Sequence, residues 1–323
     1  MESDDMKYGR IAGIDKEISR IIFGTMIIHP DENGSYDRVF SLLDSAMENG
    51  ITTFDTAKVY GSEPNIGKWM KERDNRSDVV IITKGAHPDE NGSRVPAAKL
   101  AEDIENSLRQ LQTDYIDIYM LHRDDLTVPV SDIMDTLNRY VGSGAIKAIG
   151  GSNWTVERFT EANNYALEKG LTPFTASSPN YGLAVQVENP WGDGCISISG
   201  PENDVVRKWY VENNMPVFAY SSIARGFFSG RVTSSDYSPD TDKLDDVCKY
   251  AYCHPVNFKR LDKAYTLAEK KGVTVAEIAI AYCFAGELDV YALLGAESLL
   301  EINSAVKALD VEITPEEAAW LVE

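Results

Sequence analysis

Four titratable residues stand at or just beyond the ends of short apolar runs. Asp55 closes a run within GITTFDTAKVYGSEPNIG, and Tyr60 follows on a short turn closed by Gly61. Lys84 ends VVIITK, and His122 ends IDIYMLH. A carboxylate at a strand tip with a phenol one turn later suits proton transfer when a cation lies close enough to tune the phenol. Lys84 is the candidate cation. Each residue alone has a bland role available: a strand-end cap for Asp55, a packed turn aromatic for Tyr60, a snorkelling side chain for Lys84, a satisfied core imidazole for His122. Four such accidents in register are far less plausible than one shared site.

The elements that must position them alternate. Strands are predicted over Ile21 to Gly24, Thr52 to Phe54, Val79 to Lys84, Ile116 to His122, Ile146 to Gly150, Phe174 to Ser177, Val217 to Tyr220 and Val290 to Leu294. Helical patterns fall between them at Tyr36–Asn49, Ala97–Gln110, Asp132–Val141, Val156–Lys169 and Val205–Asn213. Pro96 opens one helix, while Gly50 and Gly170 close two others. Eight strands alternating with helices predict a (β/α)8 TIM barrel forming a single domain over residues 1–323. An open doubly wound sheet would call for a Gly-rich phosphate loop after its first strand, and no G-x-G-x-x-G occurs. Barrel enzymes react at the C-terminal strand ends, where the titratable residues fall. Long connections follow the sixth strand (182–200) and the seventh (226–255), and loops of that length on the active face shape substrate access.

Composition narrows the function classes. The chain of 323 residues is 43% hydrophobic and 25% charged, with 31 basic against 51 acidic residues and a net charge of -20. That balance disfavours nucleic acid and anionic membranes as partners. No apolar run approaches the ~18 residues of a membrane span, and MESDDMKYGR is too polar for a signal peptide. Four scattered cysteines suggest a reduced, cytoplasmic setting. Cys248, Cys253 and His254 cluster without a second ligand pair at zinc spacing, so no metal site is expected. Oligomeric state is not encoded in any of these features.

Taken together, FDTAKVYG, IITK, DYIDIYMLHRDD and GAIKAIGGSNW resemble the motifs of the aldo-keto reductases, in family order and spacing across nearly the whole chain. The resemblance implies hydride transfer between a nicotinamide and a small carbonyl or alcohol substrate. It makes Tyr60 the general acid, Lys84 its tuner, Asp55 the partner of Lys84, and His122 the group that orients the carbonyl. It implies cofactor contacts from Thr25, Asp55, Ser152 and Asn153, with Tyr220 stacking on the nicotinamide. Ser221, Ile223, Arg225 and Gly226 resemble the pyrophosphate clasp, and Gly295, Glu297 and Ser298 fall in the segment facing the adenosine.

Two segments depart from the family pattern. Ser178 stands where Gln is usual, and Glu297 and Glu301 stand where a 2′-phosphate would want cations. NADP(H) is therefore the family default, with NAD(H) as the alternative. Trp154, Trp191 and Phe227 are candidates for an aromatic substrate wall. Competing functions are a Schiff-base lyase using Lys84, which pairing with Asp55 disfavours, and a cofactor-binding sensor without useful turnover, which has little need of Tyr60 and His122 together.

Overall fold

The computed structural model describes residues 6–192 and 194–323. A small antiparallel hairpin, β1 (Tyr8–Gly9) with β2 (Ile18–Ser19), precedes eight parallel strands. These are β3 (Ile21–Gly24), β4 (Thr53–Asp55), β5 (Val80–Gly85), β6 (Ile116–Leu121), β7 (Ile146–Ser152), β8 (Ala176–Ser178), β9 (Val217–Ala219) and β10 (Val290–Leu294). They form a closed barrel in that order, with β10 pairing back onto β3 through Ala292 and Ile21. The predicted TIM barrel is the architecture observed.

Helices α1 (Asp37–Glu48), α2 (Glu63–Arg73), α3 (Ala97–Leu111), α4 (Val130–Gly142), α5 (Val156–Lys169) and α6 (Asp204–Glu212) link successive strands. Between β9 and β10 the chain forms α7 (Asp246–Tyr252), α8 (Pro255–Lys271) and α9 (Val275–Cys283); α10 (Leu299–Lys307) and α11 (Pro315–Val322) follow β10. The predicted long connection after the seventh strand therefore holds a helix, α7, started by the Asp245 side chain accepting from Cys248 N. Capping of this kind satisfies an otherwise orphaned N–H.

Side chains alternate across each strand, so every second residue faces the barrel axis. The inner core contains Ile22, Val80, Ile82, Ile118, Met120 and Phe218, and Ile11 and Ile18 of the hairpin region join the same cluster. The outward partners, such as Phe23, Phe54, Ile81 and Ile149, pack in the core shared with the helices. This alternation positions the site. Extending the inward rows by one step gives Lys84 after Val80 and Ile82, and His122 after Ile118 and Met120. The same step gives Ser152 after Ala148 and Gly150, Ser178 after Ala176 and Tyr220 after Phe218. The residues that fill the barrel and those that crown it belong to the same stripes.

Candidate active site

Asp55 and Lys84 are buried and face each other across adjacent strands. The ammonium donates to both Asp55 oxygens at 2.6 Å and to Thr56 O at 3.0 Å. Burial alone would drive the Lys84 ammonium down, but Asp55 and Tyr60 outweigh it and hold it above its ordinary value. Burial pushes the Asp55 carboxyl up, with Lys84 opposing.

Tyr60 ends a single turn of 3₁₀ helix, Lys58–Tyr60, which Gly61 closes at φ 69°, a conformation that costs glycine little. Its ring centroid lies 5.2 Å from Lys84 Nζ and 5.5 Å from the His122 ring, edge on. Burial raises the Tyr60 phenol above its ordinary value; Lys84 opposes this, Asp55 adds to it and Arg123 opposes it. Lys84 thus acts on the phenol in the direction expected of a tuning cation, but burial outweighs it. In this dry setting desolvation exceeds the attraction of a cation whose charge is already shared with Asp55.

His122 is held well below its ordinary value by burial, and further by Lys84, Arg123 and His87. It is therefore neutral at neutral pH. Its Nδ1 is buried without a partner among the described residues.

Behind these groups lies a network that sequence reading did not single out. Asp103, fully buried on α3, takes an ion pair from Lys58, hydrogen bonds from Arg94 and Ala86 N at 3.0 Å. One carboxylate thus ties the turn carrying Tyr60 to the end of the strand carrying Lys84. Its only sequence signal is an acid on the inward stripe of an amphipathic helix.

The remaining expected positions fall as follows. Thr25 is buried and clamps Asp55 O through its N–H and its hydroxyl, both at 2.9 Å. Ser152 Oγ donates to Ser178 O at 2.9 Å, and Ser178 Oγ donates to Phe218 O at 2.8 Å. Asn153, at φ 60°, donates to Ser152 Oγ at 3.1 Å and accepts from the Tyr220 hydroxyl at 2.9 Å. It also accepts from Ile196 N at 3.0 Å, which ties the loop after β8 to the floor.

After β9, Ser221, Ala224, Arg225 and Gly226 all have positive φ. Such a run curls backbone N–H groups into an anion-binding concavity, and the N–H groups of Ser222 and Ile223 have no partner among the described residues. Arg225 is held by Asp245 at 2.7 Å and lies over Trp191, 5.2 Å from the ring centroid.

Gly295 is exposed after β10. Ser298 caps α10 by accepting from Glu301 N, and Glu301 accepts from Glu297 N at 2.7 Å. Arg231, which sequence reading missed, lies 3.3 Å from Glu301 and 3.8 Å from Glu297.

Two candidates for the substrate wall are corrected. Trp154 is 1% exposed and packs on Phe159 and Phe174 outside the barrel. Phe227 is 0% exposed and packs on Phe228 and Phe258 in the satellite core of α7–α9. Only Trp191 is exposed, at 41%. Of the cysteine cluster, Cys248 is buried with its thiol on Ala224 O, and His254 bonds Tyr250 O.

The barrel and its buried carboxylate, ammonium and imidazole, with a half-buried phenol beside them, define a class on their own. The sequence profile of the aldo/keto reductase family matches residues 20–323, and the chain belongs to that family. The family comprises oxidoreductases that use nicotinamide cofactors and act on small carbonyl compounds.

The chain is 31% identical to the aldo-keto reductase YhdN of Bacillus subtilis (strain 168) over 247 residues, covering 74% of this chain and 68% of the relative. It is 27% identical to an NADP(+) aryl-alcohol dehydrogenase of Phanerodontia chrysosporium, over 96% and 83% of the two chains. Among solved structures, the glycerol dehydrogenase AKR11B4 of Gluconobacter oxydans superposes with a TM-score of 0.76 at 25% identity, covering 99% of this chain and 94% of that one. Among the described residues no helix is long and apolar enough to cross a membrane.

Proposed function

We propose that this chain reduces an aldehyde or ketone, or oxidises the matching alcohol, with Tyr60 as general acid and base. One observation supports the reading above others. Lys84, locked on both Asp55 oxygens, stands beside the Tyr60 phenol, whose ring meets neutral His122 edge on.

A nicotinamide supplies a hydride to the carbonyl carbon when bound. The residues present suit it: the backbone concavity after β9 offers unpartnered N–H groups to a pyrophosphate, and Tyr220 with Asn153 and Ser152 borders the floor. Neutral His122 orients the carbonyl oxygen through a ring nitrogen. Tyr60 gives that oxygen its proton as the negative charge develops, and Lys84 stabilises the phenolate left behind. In the alcohol direction the same groups take the proton back.

On cofactor choice, we infer use of NAD(H) as well as NADP(H). Arg231 is a cation near the expected adenosine end, but two carboxylates hold it. Exposed pairs of this kind are worth about 0–1 kcal/mol, so they weaken a 2′-phosphate contact without forbidding it. Fluorescence titration with NADH and NADPH should give affinities within about tenfold, since 1.4 kcal/mol is tenfold. Glu301→Gln, by releasing Arg231, should move the ratio toward NADPH. A preference beyond a hundredfold, or no response to Glu301→Gln, would remove Arg231 from this role; binding of neither would remove the reductase reading.

A further inference from the structure

Sequence expectation placed an aromatic wall around the substrate, and two of its three members lie in other cores. What borders His122 instead is polar and cationic. Arg123 follows it directly, half-buried, and donates from Nη1 to His122 O at 3.0 Å. The same carbonyl faces Asn153 Nδ2 at 3.4 Å, and Asn153 in turn holds Tyr220. The guanidinium is therefore built into the layer of side chains that forms the floor. Consistent with that place, its charge acts on Tyr60, His122, Cys195 and Tyr220.

Arg123 has no carboxylate within 4 Å among the described residues. The comparison with other arginines is telling. Arg20, Arg76, Arg94, Arg158, Arg207 and Arg225, also buried or half-buried, each pair with an Asp. Arg260, the remaining buried one, donates to backbone carbonyls of Leu183 and Val322. Among the described residues Arg123 is the one half-buried guanidinium without a carboxylate partner, and it adjoins the candidate reaction centre.

We propose that Arg123 forms a carboxylate-binding subsite beside His122, so that the substrates are aldehyde or keto acids, or hydroxy acids in the reverse direction. The proposal rests on the carbonyl-reductase reading above. With Nη1 engaged on His122 O, the Nε–Nη2 edge remains, and two parallel N–H donors match a carboxylate side-on. A single guanidinium suits a monoanion better than a phosphate, which usually gathers several donors. The net charge of -20 repels anions at long range, so an acidic substrate needs a local cation.

The test compares 4-carboxybenzaldehyde with its neutral analogue methyl 4-formylbenzoate, using wild-type, Arg123→Gln and Arg123→Lys chains with NADH and NADPH. Wild type should prefer the acid in kcat/KM by about tenfold or more, as a charge-assisted bidentate contact would give. Arg123→Gln should erase the preference chiefly through the KM of the acid, and Arg123→Lys should restore part of it. Calorimetric titration with 4-carboxybenzaldehyde, without nicotinamide, should show the same loss of affinity.

Three results would overturn the subsite while leaving the reductase reading standing. They are equal use of both aldehydes by wild type, an equal loss for both in Arg123→Gln, or weakened NADH binding in that variant with selectivity intact. Reduction of neither aldehyde, nor of any wider carbonyl panel, would instead sink the reductase reading, and the subsite with it.

Discussion

At the scale of single residues, the balance at Tyr60 is the informative one. A phenol beside an ammonium is ordinarily expected to ionise more easily, yet burial holds this one above its usual value of 10.0. The sign follows directly. Reduction requires the protonated phenol, which is present below the raised value and lost only as pH climbs through it. Oxidation requires the phenolate, so it gains as pH rises. His122, held low, stays neutral across the same range. Rate profiles in both directions should therefore show reduction flat through neutrality and oxidation rising toward alkaline pH. A reduction rate that collapses well below pH 10 through loss of the phenol proton would contradict this balance. The four residue types were legible in sequence because Asp55, Lys84 and His122 end apolar runs and Tyr60 follows the first of them on a short turn. The direction of the Tyr60 shift was not, because desolvation depends on what covers the ring.

At the scale of elements, alternation decides which side chains reach the site. Asp55, Lys84 and His122 were readable as strand ends, whereas Ser152, Ser178 and Tyr220 came from the family resemblance; the inward stripes account for the place of both sets. Trp154 shows the limit of reading by adjacency: two residues beyond Ser152 the chain has left the strand, and the indole packs under α5 against Phe159. Its Nε1 is buried and has no hydrogen-bond partner among the described residues. Trp154→Phe should thus cost little, since it removes an unsatisfied donor along with some packing, whereas Trp154→Ala should destabilise by about 3–5 kcal/mol. Denaturant unfolding reads both. If Trp154→Phe instead raised KM sharply at unchanged stability, the indole would be a substrate contact after all. The hairpin of β1 and β2 went unseen because two-residue strands carry no period. Helix α7 went unread in the long connection after the seventh strand; Asp245 caps it and also holds Arg225. Arg231 was invisible because the loop after β9 brings it to α10 across 70 residues of sequence.

At the scale of the whole molecule, closure of the barrel makes one floor out of distant segments. Pairing of β10 with β3 brings the Glu297–Glu301 segment round to the start of the sheet, and the Asp103 network fixes the Tyr60 turn against β5. Membership of the aldo/keto reductase family follows from this plan and from the sequence match. The chemistry proposed here depends on one proton held at Tyr60. The most direct test is single-turnover reduction of a carbonyl by Tyr60→Phe, with nicotinamide affinity measured on the same preparation. Loss of hydride transfer by a thousandfold or more, with affinity near that of wild type, is the expected result, general acid catalysis contributing about 10²–10⁴. Turnover within tenfold of wild type would show that another group supplies the proton.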